Sequence, residues 1–170
     1  RSVEKELITS LYEMNTRELD STTDARYGNG RCSPDFQLFE NRSPIINTLA
    51  EDLINTIKLA VKSDVHIYDS FFNIIGAGGG TTPHKHINVI DTDVDGVGLD
   101  FGKQKFSLVY YLKVGNQNCS EPGILKVYDP NEDILPSEGM IVLIPAHRSH
   151  SAVYNGEEDR VMIGINFYAL

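Results

Sequence analysis

The sequence predicts a mainly β domain, a small barrel or sandwich with supporting helices at its N-terminal end. Three observations lead to this fold class. Helical periodicity of apolar residues is confined to the part of the chain before residue 64. From there to the C-terminus, short segments rich in β-branched and aromatic residues alternate with glycine, proline, asparagine and aspartate. The last of these segments alternates between an apolar and a polar face, which is typical of a strand with one buried side.

Composition places the whole chain in one globular domain. The chain has 170 residues, of which 41% are hydrophobic and 23% charged, and we expect a single domain over 1–170. Residues 1–64 would form a helical and irregular support, and residues 65–170 the β core. No apolar run approaches the roughly 18 residues that a membrane span needs, and no charged leader precedes an apolar stretch. We therefore expect a soluble, cytoplasmic protein without a membrane partner.

Charge and cysteine content narrow the function classes. The formal net charge of −9 argues against a nucleic-acid partner, because a negative surface repels a polyanion. The two cysteines, Cys32 and Cys119, are far apart and lack a metal-type spacing. We expect both to be free thiols in a reducing compartment. Nothing in the sequence indicates an oligomeric state.

The N-terminal part predicts two helices. Apolar residues at helical spacing mark a first helix over 2–12, with Ser2 as a candidate cap. Residues 15–34 are polar and rich in glycine, and predict irregular structure. A second helix is predicted to begin with Ser43 as N-cap and Pro44 at its first position. Its apolar face needs a partner, which we expect to be a sheet.

Six strands are predicted in the β core. They cover residues 65–75, 106–114, 124–128, 140–144, 149–154 and 161–168. In the last one, one face carries Val161, Ile163, Ile165 and Phe167, and the other carries Arg160, Met162, Gly164 and Asn166. An arginine on the second face points either to a barrel interior that holds a ligand or to a solvent-exposed rim.

Four of the five histidines form two local pairs. His84 and His86 follow a glycine run, and in an extended segment their rings would point to the same side, where they can share a metal. Solvent-exposed loop histidines are the alternative. In the second pair, His150 begins a strand and stands ten residues before Arg160. A hairpin turning at 154–156 would place these two residues on adjacent antiparallel strands, whereas His147 is predicted to lie on the surface.

Residues 65–170 resemble the 2-oxoglutarate and iron(II)-dependent oxygenases in five features that occur in the family's order. These features are Asn73 ahead of His84; the apolar strand 106–112 ending in Tyr111 and Leu112; the segment 123–130 from a glycine to an acid and proline; Gly139, an apolar strand, Pro145 and His150; and Arg160. Two positions depart from the family. His86 stands where the family has aspartate, as in small bacterial and phage-type members with His-x-His, and Met162 replaces the usual serine or threonine.

The resemblance implies a double-stranded β-helix, also called a jelly roll and similar to cupins. It implies that iron(II) is held by His84, His86 and His150, and that Arg160 binds the distal carboxylate of 2-oxoglutarate. Asn73 and Tyr111 would hydrogen-bond other oxygens of this co-substrate. The implied reaction hydroxylates an unidentified small-molecule or protein substrate and releases succinate and carbon dioxide.

Three alternatives stay open at this point. Asp91 or Asp93 can supply a carboxylate ligand, with His86 then acting behind it. The chain can also be a three-histidine, cupin-type metalloenzyme that uses no 2-oxoglutarate. Finally, a β-sandwich can serve as a non-catalytic ligand-binding module, in which the histidines are incidental.

Overall fold

The computed structural model describes residues 1–19, 29–87, 91 and 101–170. Its helices are α1 (Lys5–Glu13) and α2 (Pro44–Val61), with 3₁₀ turns η1 (Leu38–Glu40) and η2 (Phe101–Lys103). Its strands are β1 (Arg17–Glu18), β2 (Gly30–Cys32), β3 (Val65–Ile75), β4 (Gly79–His84), β5 (Lys105–Lys113), β6 (Pro122–Val127), β7 (Glu132–Ile134), β8 (Ile141–Pro145), β9 (His150–Tyr154) and β10 (Arg160–Ala169).

The strands form two antiparallel sheets. The larger has the order β1-β2-β3-β10-β5-β8, and the smaller has the order β4-β9-β6-β7. From β3 to β10 the chain passes back and forth between the two sheets, with the β6–β7 hairpin in the middle. This is the winding of a double-stranded β-helix, and the predicted fold class is confirmed.

Strand β10 lies at the centre of the large sheet, between β3 and β5. Its outward-facing residues are fully buried in a cluster that includes residues of both helices; they are Val161, Ile163, Ile165 and Phe167. Its other face, with Met162, Gly164 and Asn166, lines a cavity between the sheets. The alternation predicted from the sequence is therefore correct, and the core separates the helices from the cavity.

The helices cover the outer face of the large sheet. The Ser43 hydroxyl accepts a hydrogen bond from the Ile46 amide at 3.4 Å, and Pro44 is the first residue of α2, as predicted. Helix α1 begins later than predicted, at Lys5, and no side chain caps it. The predicted Ser2 cap is wrong, because Glu4 is the residue that immediately precedes the helix. The Ser2 carbonyl instead accepts a hydrogen bond from the Tyr110 hydroxyl at 3.1 Å.

All six predicted strands are present, with ends that differ by at most two residues. The stretch 15–34, predicted to be irregular, instead contributes β1 and β2 to the large sheet; its residues 20–28 lie outside the described part. Strand β2 pairs with β3 through main-chain hydrogen bonds, and a side chain at Gly30 would lie 2.7 Å from the Ile74 carbonyl oxygen. This pairing requires no alternation of apolar side chains, so the sequence pattern does not reveal it.

The predicted hairpin between His150 and Arg160 is wrong. Strand β9 belongs to the small sheet and β10 to the large one, so residues 155–159 cross from one sheet to the other. The Tyr154 hydroxyl fixes this crossing, since it accepts a hydrogen bond from the Asn116 amide at 3.0 Å and donates one to the Glu158 carbonyl at 2.5 Å. His150 and Arg160 face each other across the cavity instead of lying on neighbouring strands.

Within the described residues, no helix is both long enough and apolar enough to span a bilayer.

Candidate metal and anion site

The two sheets enclose a cavity of about 100 Å³. All six residues predicted to form the site line it: His84, His86, His150, Arg160, Asn73 and Tyr111. The histidines come from the small sheet and the segment that follows β4, and the other three come from the large sheet. The structure therefore brings the predicted metal ligands and the predicted anion ligand into one enclosed space.

The three imidazoles form one cluster. His84 ends β4 and pairs in register with His150, the first residue of β9. His86 follows two residues later, and its amide donates a hydrogen bond to the Ala146 carbonyl at 3.0 Å. One potential ligand atom from each ring lies within 4.8 Å of the others, and Nε2 of His86 is 3.3 Å from Nε2 of His150. Three nitrogens at this separation can bind a single metal ion.

Main-chain carbonyls orient two of the rings. Nδ1 of His84 lies 2.7 Å from the Thr82 carbonyl oxygen, and Nδ1 of His150 lies 3.4 Å from that of Arg148. Because a carbonyl oxygen only accepts hydrogen bonds, Nδ1–H is the donor in each contact, and in the neutral ring the lone pair is then on Nε2. A hydrogen bond of this kind is the usual way in which proteins fix the orientation of a metal-binding histidine.

Burial keeps two rings of the cluster neutral, those of His86 and His150. Burial, with the nearby His84, His150 and Lys105, lowers the pKa of His86 to about 3. Burial and His84 lower the pKa of His150 to about 4. Both side chains are therefore uncharged at neutral pH, the state in which imidazole binds a metal.

Arg160 lies in the same cavity and is only 2% exposed. Its Nη1 donates a hydrogen bond to the Gly123 carbonyl at 3.0 Å, and the rings of Tyr111 and Tyr154 flank the guanidinium at 5.7 and 5.2 Å. Nε and Nη2 are buried without a hydrogen-bond partner in the described structure. Burial without an anionic partner lowers the pKa of Arg160.

A buried guanidinium with unpaired donors is energetically unfavourable, because each donor has lost its hydrogen bonds to water. A carboxylate satisfies two such donors at once through parallel, charge-assisted hydrogen bonds. The exposed-rim alternative for Arg160 is excluded by its burial. Its environment instead has the properties of a site for an anionic ligand.

Asn73 and Tyr111 flank Met162 on the inner face of the large sheet. Met162 pairs in register with Asn73 of β3 and with Tyr111 of β5. Burial raises the pKa of Tyr111 to about 12, so its hydroxyl stays protonated and can donate a hydrogen bond into the cavity. Both residues stand two positions along the strands from Arg160, within reach of a ligand bound there.

Asp91 is engaged elsewhere. Its carboxylate accepts hydrogen bonds from Lys105 Nζ at 2.8 Å and from the Tyr168 hydroxyl at 2.7 Å, and it does not belong to the histidine cluster. Asp93, the other carboxylate considered as a ligand, lies outside the described residues. His147 is exposed, as predicted.

Sequence reasoning missed a polar row at the other end of the inner face. Asn166 pairs in register with Asp69 and Ser107. The Ser107 hydroxyl donates to Asn166 Oδ1 at 2.6 Å, and Asn166 Nδ2 donates to Asp69 at 2.9 Å. The alternation of β10 places Asn166 on the same face as Arg160, but only the strand register shows which residues accompany it.

Sequence comparison finds no match to this chain among protein-family models or curated proteins. Comparison with solved structures finds many of the same fold. A prolyl hydroxylase from Trichoplax adhaerens, in complex with a hypoxia inducible factor peptide, is 12% identical with a TM-score of 0.66, over 96% of this chain and 76% of that one. HygX from Streptomyces hygroscopicus, with nickel and 2-oxoglutarate bound, is 13% identical with a TM-score of 0.65, over 97% and 77%.

A third structure is an oxidoreductase of the 2OG-Fe(II) oxygenase family from Burkholderia pseudomallei. It is 12% identical to this chain with a TM-score of 0.62, over 96% of this chain and 77% of that one. At such low identity the likeness concerns the fold. The chain therefore has the fold of 2-oxoglutarate and iron(II)-dependent oxygenases over nearly its whole length.

Proposed function

We propose that this chain is an iron(II)- and 2-oxoglutarate-dependent oxygenase that hydroxylates a small-molecule or protein substrate. One observation carries the proposal: Arg160, buried with two donors that lack partners in the described structure, shares a cavity with three clustered imidazoles. A filled structural core accounts for neither feature, because buried polar groups in a core are normally paired. A metal and an anion bound side by side account for both.

The donor set fits a divalent first-row metal. Imidazole nitrogens suit iron(II), and three ligands on one face leave positions open for other molecules. The rings of His84 and His150 are held by main-chain carbonyls in the tautomer that offers Nε2. We assign these two residues and His86 as the metal ligands.

The anion site fits 2-oxoglutarate. Arg160 would bind the distal carboxylate through Nε and Nη2, the two atoms that lack partners in the described structure. Tyr111 and Asn73 lie beside it and would hydrogen-bond other oxygens of the co-substrate. Phe71, Val109 and Leu125 form apolar walls that keep water away from the reacting groups.

The bound metal and 2-oxoglutarate would supply the oxidation, with one atom of O₂ ending in succinate, the other in the hydroxylated product, and carbon dioxide released. The protein itself would orient the metal and the co-substrate, bind the co-substrate carboxylate through Arg160 and hold the substrate at the open side of the site.

Succinate formation tests the proposal. Protein loaded with iron(II) should consume O₂ only when 2-oxoglutarate is present and should form succinate, slowly even without the prime substrate. A matched sample of Arg160→Met should do neither at the same 2-oxoglutarate concentration. Iron-loaded protein that neither binds 2-oxoglutarate nor forms succinate would overturn the proposal.

A second function is favoured by two specific residues. His86 completes a cluster of three histidines at a position where the oxygenase family has aspartate. Met162 stands where that family has a serine or threonine, two residues after Arg160. Both features suit a cupin-type metalloenzyme that uses no 2-oxoglutarate, in which Arg160 binds the carboxylate of the substrate itself. Metal binding without any 2-oxoglutarate binding would select this function.

A further inference from the structure

Among the described residues that line the cavity, Arg160 is the one arginine, and no lysine accompanies it. Among these same described residues, Arg160 is a cation, the three histidines offer the metal no negative charge, and there is no aspartate or glutamate. A divalent metal bound by three neutral imidazoles would keep its full charge of two. Metal and guanidinium together would therefore place three positive charges around one cavity.

In the part of the chain that the structure describes, two acidic groups near the inner face, Asp91 and Asp69, do not line the cavity. Asp91 forms a buried ion pair with Lys105, with both side chains 3% exposed, so this pair adds no net charge. Asp69 lies beside Asn166 on the inner face of the large sheet and accepts a hydrogen bond from it at 2.9 Å, but it is not among the residues that line the cavity. The cavity itself offers the metal no negative ligand in the described structure.

Electrostatics then couples the two sites. Charges interact more strongly in a buried site than in water, because the effective dielectric constant is lower. A metal ion that binds to the ligand-free protein is repelled by the guanidinium, whose charge no bound anion compensates. An anion that binds first lacks the attraction of the metal. A dicarboxylate that spans both sites removes both penalties, since one carboxylate pairs with Arg160 and the other end reaches the metal.

We propose that a dicarboxylate and the metal bind to this chain cooperatively, and that the neutral ligand His86 sets the strength of the coupling. This inference rests on the proposed function and deepens it. An aspartate at position 86 would neutralise one metal charge permanently, so the metal would bind well alone and gain less from the dicarboxylate. With His86, stable loading of the metal requires the co-substrate.

The test measures the affinity for cobalt(II), which avoids turnover, by competition with a coloured chelator, with and without 2-oxoglutarate. We expect 2-oxoglutarate to tighten cobalt binding by about 100-fold, near the upper end of common coupling factors. Cobalt must tighten 2-oxoglutarate binding by the same factor, which checks the thermodynamic cycle. Pyruvate, which lacks the distal carboxylate, should tighten cobalt binding much less.

His86→Asp is the decisive variant. It should bind cobalt alone more tightly than the wild type, and its coupling to 2-oxoglutarate should be about tenfold weaker, because the metal now carries one charge less. Equal coupling in the wild type and in this variant would overturn the inference while leaving the proposed function intact. A wild type that binds no metal even with 2-oxoglutarate present, or no 2-oxoglutarate even with metal present, would instead overturn the proposed function. If His86→Asp shows no cooperative melting transition, His86→Glu takes its place with the same two criteria.

Discussion

Gly123 and Arg160 are packed so closely that residue 123 has no room for a side chain. A Cβ atom at Gly123 would lie 1.6 Å from Nη1 of Arg160, and the Gly123 carbonyl accepts the hydrogen bond from that same nitrogen at 3.0 Å. Gly123 also has a φ angle of +79°, which L side chains rarely adopt. This glycine therefore fixes the position of the buried guanidinium.

Gly123→Ala should displace the guanidinium and weaken 2-oxoglutarate binding by about tenfold or more, since a charge-assisted hydrogen bond is worth roughly 1.5–3 kcal/mol. Titration of the cobalt-loaded protein with 2-oxoglutarate measures this loss. Gly78→Ala is the matched control, because Gly78 also has a positive φ, of +75°, but a Cβ there would meet nothing closer than 4.0 Å. Equal losses in both variants would attribute the effect to backbone strain alone.

Arg160→Met should abolish 2-oxoglutarate binding and yet stabilise the ligand-free protein. The wild-type guanidinium is buried with two unpaired donors, and replacing a poorly compensated buried charge by an apolar side chain of similar length typically raises stability, here by about 1 kcal/mol. Urea unfolding without ligands measures the free energy of unfolding. A less stable variant would show that the guanidinium has a structural role.

His150→Ala should eliminate metal binding, because it removes one of three ligand nitrogens that lie within 4.8 Å of one another. His147→Ala is the control, since this histidine is only three residues away but exposed. The metal content of both proteins after dialysis in the presence of 2-oxoglutarate, measured by atomic emission, distinguishes them. Full metal occupancy in His150→Ala would rule out the cluster as the metal site.

Lys105→Met should destabilise the protein strongly. It leaves the Asp91 carboxylate buried without the Lys105 ammonium, which lies 2.8 Å away, and the loss of one partner of a buried ion pair costs about 3–5 kcal/mol. Urea unfolding measures the loss. The double variant Lys105→Met with Asp91→Asn also removes the buried carboxylate charge and should recover a large part of the stability. No recovery would mean that packing of Lys105 against Tyr68 and Tyr168 dominates.

Arg148→Ala should weaken metal binding by about tenfold, the lower end of the range for residues that orient metal ligands. The Arg148 side chain donates hydrogen bonds to the Tyr128 carbonyl at 3.2 Å and to Glu132 at 2.7 Å, and its carbonyl accepts the hydrogen bond from Nδ1 of His150. Chelator competition measures the affinity. Lys58→Ala, which breaks an exposed ion pair with Asp64, should leave it unchanged.

The sequence predicts best those strands and helices that have a clear pattern of apolar side chains. Strand β3 is predicted to the residue, because β-branched and aromatic side chains predominate from Val65 to Ile75. Strand β4 is not predicted, since Gly79–His84 has no apolar alternation. Its backbone instead approaches β9 so closely that a Cβ atom at Gly80 would lie 2.2 Å from the Ala152 carbonyl oxygen.

The hairpin predicted at 154–156 is wrong because the local sequence does not show which sheet the next strand joins. A tyrosine, asparagine and glycine at 154–156 look like a local turn between adjacent strands. Whether the chain turns within one sheet or crosses to the other depends on the hydrogen bonds of the Tyr154 hydroxyl with residues 116 and 158, which are not visible in the local sequence. His150 and Arg160 can still be chosen as candidate site residues without the correct hairpin, because each has its own local sequence pattern, and both line the cavity.

A crystal structure of the protein with nickel(II) and 2-oxoglutarate tests the central claim most directly, because anomalous scattering locates the metal independently. We predict one metal ion bound by Nε2 of His84 and His150 and by a ring nitrogen of His86, with a carboxylate of 2-oxoglutarate paired to Nε and Nη2 of Arg160. A metal bound away from the histidine cluster, or a 2-oxoglutarate that does not contact Arg160, would contradict the account.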